Sequence, residues 1–315
     1  MSTLKIGLAQ IAPVWLNKSA TLEKILVCIK EAGEKETDLI VFGETLLPGY
    51  PYWLSLTHGA EFNSQMQKEI HAHYLRQAIQ IEAGDLNSIR AAAKKYKMAV
   101  YLGVAERPED RGGHSIYASL VYIDKTGEIQ SVHRKLQPTY EERLSWSPGD
   151  AQGLKAHKLG SFTTGGLNCW ENWMPLPRTA LAAMGVDLHI AVWPGAKRNT
   201  IDISRFIAME CRSFVVSVSG LMRKSDFPKD SPYYEEMIAH APDTISDGGS
   251  AIAGPDGKWI IEPICNEEGV FYAEIDHNRV LEERHNFDPV GHYSRADALS
   301  IQINRERQSI LKDKE

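Results

Sequence analysis

Short apolar runs alternate along this chain with segments whose hydrophobic residues recur at helical spacing, and that alternation narrows the fold more than any other feature. Residues 4–11 predict a strand closed by Pro13, and residues 17–32 an amphipathic helix with Leu22, Ile25, Leu26 and Ile29 on one stripe. Asp38-Leu39-Ile40-Val41-Phe42 is a short buried strand that ends at Gly43-Glu44. Residues 57–97 predict helix broken near Gly84-Asp85, and 98–104 another strand. The turn Asp124-Lys125-Thr126-Gly127 joins 115–123 to 128–134 as a hairpin. The second half repeats the scheme, with a strand running into Cys169, a helix over 175–184, a strand over 188–193, a helix over 201–212 and a strand over 214–219. A second hairpin joins 249–253 to 258–263 through Gly254-Pro255-Asp256-Gly257. Strands that alternate with helices and also meet antiparallel hairpins predict an α/β architecture with mixed sheets. No linker or low-complexity tract divides the halves. Residues 1–303 are therefore expected to form one domain, and 304–315 a charged tail or an arm at a subunit contact.

Composition removes several function classes. A net charge of −6 disfavours nucleic acid or an anionic membrane as partner. No apolar run approaches the ~20 residues of a membrane span. The opening residues lack the charged-then-apolar order of a secretory signal. Cys28, Cys169, Cys211 and Cys265 lie far apart with no C-x-x-C pair, which predicts reduced thiols and a cytoplasmic location. His71 and His73 are two apart and cannot share a metal from one helix face. With no Cys/His pairing or H-E-x-x-H pattern, no metal site is expected. Gly165-Gly166 lacks the remainder of a phosphate-binding loop.

Five residues at four places in the sequence remain as candidates for chemistry. Cys169 stands at the end of Gly165-Gly166-Leu167-Asn168, with an acidic amphipathic segment behind it. A strand, tight turn and helix start would hold the sulfur at a helix N-terminus, where thiolate is favoured over thiol. Glu44 follows a buried strand and precedes the aromatic loop Pro48-Gly49-Tyr50-Pro51-Tyr52-Trp53, so partial desolvation makes it a candidate general base. Lys135 ends a hairpin strand, a place where an ordinary lysine is solvated. Glu141 and Glu142 precede Arg143-Leu144, and spacing alone does not choose between them. The other cysteines and Gly248-Gly249-Ser250 suit packing and a hairpin strand.

Together these segments resemble the nitrilase superfamily, and within it the true nitrilase branch, over Lys5 to Ala298. The motifs are Phe42-Gly43-Glu44-Thr45, His133-Arg134-Lys135-Leu136 with Pro138-Thr139-Tyr140-Glu141-Glu142-Arg143, Asn168-Cys169-Trp170-Glu171-Asn172, and Asp288-Pro289-Val290-Gly291-His292-Tyr293-Ser294-Arg295. The first departs from the family's common Phe-Pro-Glu by carrying Gly43. The resemblance implies a four-layer α-β-β-α sandwich whose subunits pair through helices into homodimers or spirals. It implies Glu44 as base, Lys135 as cationic group, Cys169 as nucleophile and Glu142 as the additional glutamate, with no metal or organic cofactor. It implies hydrolysis of an organic nitrile to acid and ammonia through a thioimidate and a thioester. An amidase or carbamoylase, or an enzyme that hydrates cyanide, would use the same residues. A non-catalytic interaction protein of this fold would be expected to have lost one of them. Trp53, Tyr140, Trp170 and Trp193 are the aromatic residues expected to line a pocket suited to arylaliphatic or medium aliphatic nitriles.

Overall fold

In β1 (Thr3–Gln10) Leu4, Ile6 and Leu8 fall on one side and Ala9 on the other, and both sides are buried. The same holds in β2 (Leu39–Phe42), where Leu39 and Val41 alternate with Ile40 and Phe42. A strand covered on both faces needs an unbroken apolar run, which is why these segments are so hydrophobic.

The computed structural model describes residues 2–310. Its first half continues through α1 (Lys18–Glu34), α2 (Trp53–Leu56), α3 (Gln65–Gln77), α4 (Asn87–Tyr96), β3 (Ala99–Glu106), β4 (Tyr117–Ile123) and β5 (Ile129–Arg134). The second half holds β6 (His157–Leu159), β7 (Phe162–Asn168), α5 (Pro175–Ala183), β8 (Leu188–Trp193), α6 (Lys197–Thr200), α7 (Ile203–Cys211), β9 (Phe214–Ser219) and β10 (Leu221–Arg223). It closes with α8 (Tyr234–His240), β11 (Thr244–Ala253), β12 (Trp259–Cys265), β13 (Gly269–Asp276) and α9 (Asn278–Arg284).

Among the described residues one sheet runs β13-β1-β2-β3-β4-β5, parallel from β1 to β3 and antiparallel elsewhere. The other runs β10-β11-β9-β8-β7-β6, parallel from β7 to β9, with β12 on the flank of β11. Ile6, Val41 and Tyr101 of the first sheet pack against the same core as Ile190, Val216 and Ile252 of the second, so the sheets face each other. Ile25 and Ile29 of α1 and Ile89 of α4 cover the outer face of the first sheet over Ile40, Phe42 and Val100. Ile203 and Ile207 of α7 cover the second over Ala191, Trp193 and Val215. The result is the four-layer α-β-β-α sandwich that the resemblance implied.

Helix α1 starts where its cap dictates, since Asn17 Oδ1 accepts the Ala20 N–H at 3.0 Å. Two expected helices are shorter than foreseen. Residues 57–64 form turns rather than helix, with His58 and Asn63 in the left-handed region, and α3 begins only at Gln65. The helix expected over 201–212 is α7, trimmed to Ile203–Cys211, and two turn residues separate it from α6, which ends at Thr200. Of the expected tail, residues 311–315 lie outside the described residues. Within 304–310, Arg307 pairs with Asp150 at 2.9 Å and Arg305 donates to the Leu154 carbonyl. Among the described residues no helix is long and apolar enough to cross a membrane.

Candidate active site

Three strand ends converge between the sheets. After β2 the chain turns at Gly43, and the Glu44 N–H donates to the Trp193 carbonyl at 3.1 Å, tying the first sheet to the second. Gly103 of β3 lies directly beneath this turn. A Cβ there would collide with the Gly43 carbonyl and the Thr45 N–H, so only glycine lets the Glu44 turn sit so close. Lys135 follows β5, and its N–H donates to the Ala118 carbonyl at 2.8 Å, extending the β4–β5 ladder by one rung. Cys169 follows β7 with φ +50°, a left-handed conformation uncommon for a residue with a Cβ. Asn172 holds it there, its Nδ2 donating to the Cys169 carbonyl at 2.9 Å and the Leu167 carbonyl at 3.2 Å. His189 Nε2 meets Asn172 Oδ1 at 2.8 Å. Burial, reinforced by the Arg178 charge, drives His189 down to about 3, so its ring is neutral and donates.

The side chains these strands deliver form one cluster. Lys135 Nζ lies 2.9 Å from Glu44 Oε1 and 2.7 Å from Glu142 Oε2, with all three groups sealed from solvent. Glu142 also accepts the Thr139 N–H at 2.6 Å and the Tyr50 hydroxyl at 2.8 Å. Cys169 Sγ and one oxygen from each of Glu44 and Glu142 all lie within 4.8 Å of one another. Of the adjacent glutamates it is therefore Glu142 that reaches Lys135, while half-buried Glu141 lines the cavity beside it.

Burial is the largest influence on Glu44 and, although Lys135 opposes it, pushes the carboxyl up to about 8 with help from Glu142. Burial alone would lower the Lys135 ammonium, but Glu44 and Glu142 hold it above the ordinary lysine range. Burial likewise raises Cys169 well above a free thiol; Lys135 and the Trp170 N–H pull it down, and Glu44 and Glu142 push it up. The sequence-based expectation of a thiolate stabilised by a helix N-terminus is thus corrected. Only a five-residue 3-10 turn, Cys169–Trp173, follows the sulfur, and desolvation outweighs so short a dipole. Burial thus favours the thiol over the thiolate.

Among the described residues Glu44, Glu142 and Cys169 are also the three side chains close enough to share a metal ion. The Lys135 ammonium already stands against both carboxylates and supplies the cation their charge demands.

Residues 5–284 match the carbon-nitrogen hydrolase family. The chain belongs to that family. It is 36% identical over 95% of its length to Nitrilase 2 from an unknown prokaryotic organism, covering 92% of that protein. It is 31% identical over 96% of its length to an aliphatic nitrilase of Rhodococcus rhodochrous, covering 79% of it. Among solved structures, a carbon-nitrogen hydrolase from Helicobacter pylori G27 superposes with TM-score 0.70 at 20% identity, over 94% of this chain and 96% of that one.

The carbon-nitrogen hydrolase site opens into a cavity of about 710 Å³ whose lining includes Cys169, Glu142, Tyr50, Tyr52 and Trp170. Of the four aromatic residues expected there, only Trp170 lines it. Tyr140 is 83% exposed and borders a neighbouring depression with His58 and Leu144. Trp53 is buried against Trp15 and Tyr74, and Trp193 is buried beneath α7. Trp193 faces the helix layer because Ile190 and Val192 of β8 occupy the inter-sheet face, and alternation sends the next residue outward. The cavity wall also carries the polar side chains Ser55, Thr139, Arg198, Asn199 and Ser246. Tyr52 and Ser246 are joined by a buried hydroxyl–hydroxyl bond of 2.8 Å. Sequence reasoning placed Tyr50 and Tyr52 only in a nearby loop and gave Asn172 and His189 no role. Their partners are backbone carbonyls and groups far along the chain, which leave no local pattern.

Proposed function

We propose that this carbon-nitrogen hydrolase converts an organic nitrile to its carboxylic acid and ammonia. The observation that carries the proposal is a buried thiol, a carboxylate base and an ammonium set within reach of one another at a cavity of substrate size. The nitrilases at 36% and 31% identity favour a nitrile over an amide as the substrate.

Glu44 takes the Cys169 proton as sulfur attacks the nitrile carbon, and the nitrogen is protonated to give a thioimidate. Lys135 Nζ holds Glu44 Oε1 at 2.9 Å, while the buried Oε2 has no hydrogen-bond partner and is free to receive that proton. Lys135 stabilises the charge that develops on nitrogen, with the Trp170 N–H beside it. Water activated by Glu44 adds, ammonia leaves, and a second water releases acid from the thioester. Glu142, fixed by Tyr50 and Thr139, keeps Lys135 charged and aimed.

The test is a panel of aliphatic and arylaliphatic nitriles, the matching amides and cyanide, with products identified across pH 6 to 10. Acid and ammonia from nitriles support the reaction. Turnover confined to amides, or formamide from cyanide, would replace it. A raised carboxyl pKa means that the basic form exists only above that value. The kcat/KM for a nitrile should therefore rise through about pH 8, as Glu44 ionises in the free enzyme. Glu142→Gln removes a like charge that raises Glu44 and should move this limb to lower pH; an unmoved limb would deny Glu44 the base role.

Two further features support association and a reducing compartment. Leu176 of α5 and Phe206 and Met209 of α7 are exposed apolar side chains on adjoining helices, and they suit pairing of two copies. A monomer mass by light scattering would exclude that pairing. All four cysteines are free, which fits the cytoplasm.

A further inference from the structure

Glu171 takes no part in the reaction above, yet it is among the most tightly held carboxylates in the molecule. Its side chain is sealed from solvent, and three donors from two sheets converge on it. Oε1 accepts the Leu136 N–H at 2.9 Å, and Oε2 accepts the Asn168 N–H at 3.0 Å. His133 Nε2 lies 3.0 Å from both oxygens. Leu136 is the residue after Lys135, and Asn168 is the residue before Cys169.

We propose that Glu171 is a positioning residue, a single carboxylate that ties the backbone beside Lys135 to the backbone beside Cys169 and so sets the spacing between cation and thiol. Lys135 leaves the end of β5 and Cys169 the end of β7, and these strands belong to opposite sheets. Between the sheets lies an apolar core, whose packing is non-directional and does not by itself fix one strand end against another. Directed hydrogen bonds do. His133 projects from β5 itself, and its other ring nitrogen, Nδ1, is buried with no partner, so Glu171 is the polar contact that orients the ring. Burial works against the Glu171 charge, but His133 and the two N–H donors outweigh it and hold the carboxyl below its usual range. The carboxylate is therefore ionised and can accept from all three donors at once. A glutamine could not, because its NH₂ would face an N–H.

The inference rests on Cys169 and Lys135 as nucleophile and cation, and its test needs no nitrile. Besides burial, which acts most strongly, the groups that act on the Cys169 thiol are Lys135, Glu44, Glu142 and the Trp170 N–H. Drawing Lys135 away should raise the pH at which the thiol becomes reactive. Alkylation by iodoacetamide is followed on the Cys169-bearing peptide by mass spectrometry from neutral pH to the alkaline limit of the fold, alongside Tm, kcat and KM. Glu171→Gln should fold, alkylate at Cys169 about tenfold more slowly with an upward-shifted midpoint, and lose about 10²-fold in kcat while KM changes little. Glu171→Asp keeps the charge but is one methylene too short to span both N–H groups. It should show the same shifts at smaller size, and it carries the test if the glutamine variant fails to fold. A folded variant with lowered Tm but an unmoved alkylation midpoint would overturn the proposal and leave Glu171 a filler of buried donors. Absence of nitrile turnover in the unsubstituted enzyme would instead sink the proposed reaction and leave this measurement standing.

Discussion

Cys169→Ala is expected to cut kcat/KM by at least about 10⁴-fold and to abolish covalent intermediates, while moving Tm by no more than a few degrees. The fold should survive because the backbone at Cys169 is held by Asn172, which bonds the Cys169 and Leu167 carbonyls and not the sulfur. Chemistry should not survive, because among the described residues no other cysteine lines the cavity. Cys28 and Cys211 are pushed up by burial to about 11 and about 12 and lie in helices α1 and α7. Glu44 and Lys135 remain in the variant, so any residual rate measures what base and cation achieve on water alone. Acid-quenched enzyme examined by mass spectrometry should carry a substrate adduct on the Cys169 peptide, and the alanine variant none. Turnover of a nitrile by the variant at the unsubstituted rate would remove Cys169 from the mechanism.

The elements best foretold by the sequence are those whose side chains are buried on both faces. Strands β8 and β9 occupy the residues their apolar runs marked, because nothing but strand satisfies six consecutive buried positions so short of a helix. Glu44 could be placed for the same reason, since it directly follows such a run. The ionisation of Cys169 could not. It depends on how completely the thiol is desolvated and on Lys135, Glu44 and Glu142 meeting it from distant segments. The pocket aromatics were misjudged because nearness in sequence says nothing of which face a residue takes. Trp193 follows a strand pattern that could have been read as outward-facing, whereas Trp53 sits in a short helix whose buried side no periodicity reveals. Glu171 lies within a motif, but two of its three partners are backbone N–H groups, so no residue pattern marks its place.

Lys135→Met should damage stability as well as activity, and the pH dependence of the loss identifies its cause. Methionine fills much the same volume, but it leaves Glu44 and Glu142 buried without their cation. Removing one partner of a buried ion pair costs about 3–5 kcal/mol. The sign follows from Glu44. Its carboxyl already stands above its unfolded value of roughly 4.3, and loss of the Lys135 charge frees it to rise further. A group whose pKa is raised on folding contributes its stability fully below the unfolded value, and that contribution drains away as pH rises through the folded value. Glu44 is protonated in both folded proteins well below pH 8, so its part of the Tm gap between Lys135→Met and the unsubstituted enzyme should stay flat there and widen only above about pH 8, where the unsubstituted enzyme ionises Glu44 and the variant does not. Nitrile turnover should fall by at least on the order of 10²–10³ at every pH, since no proton taken up by a carboxylate replaces a positive charge beside the developing anion. A Tm gap that stayed constant with pH would mean that Lys135 matters only by its packing. The buried triad would then not be the electrostatic unit on which both stability and catalysis depend.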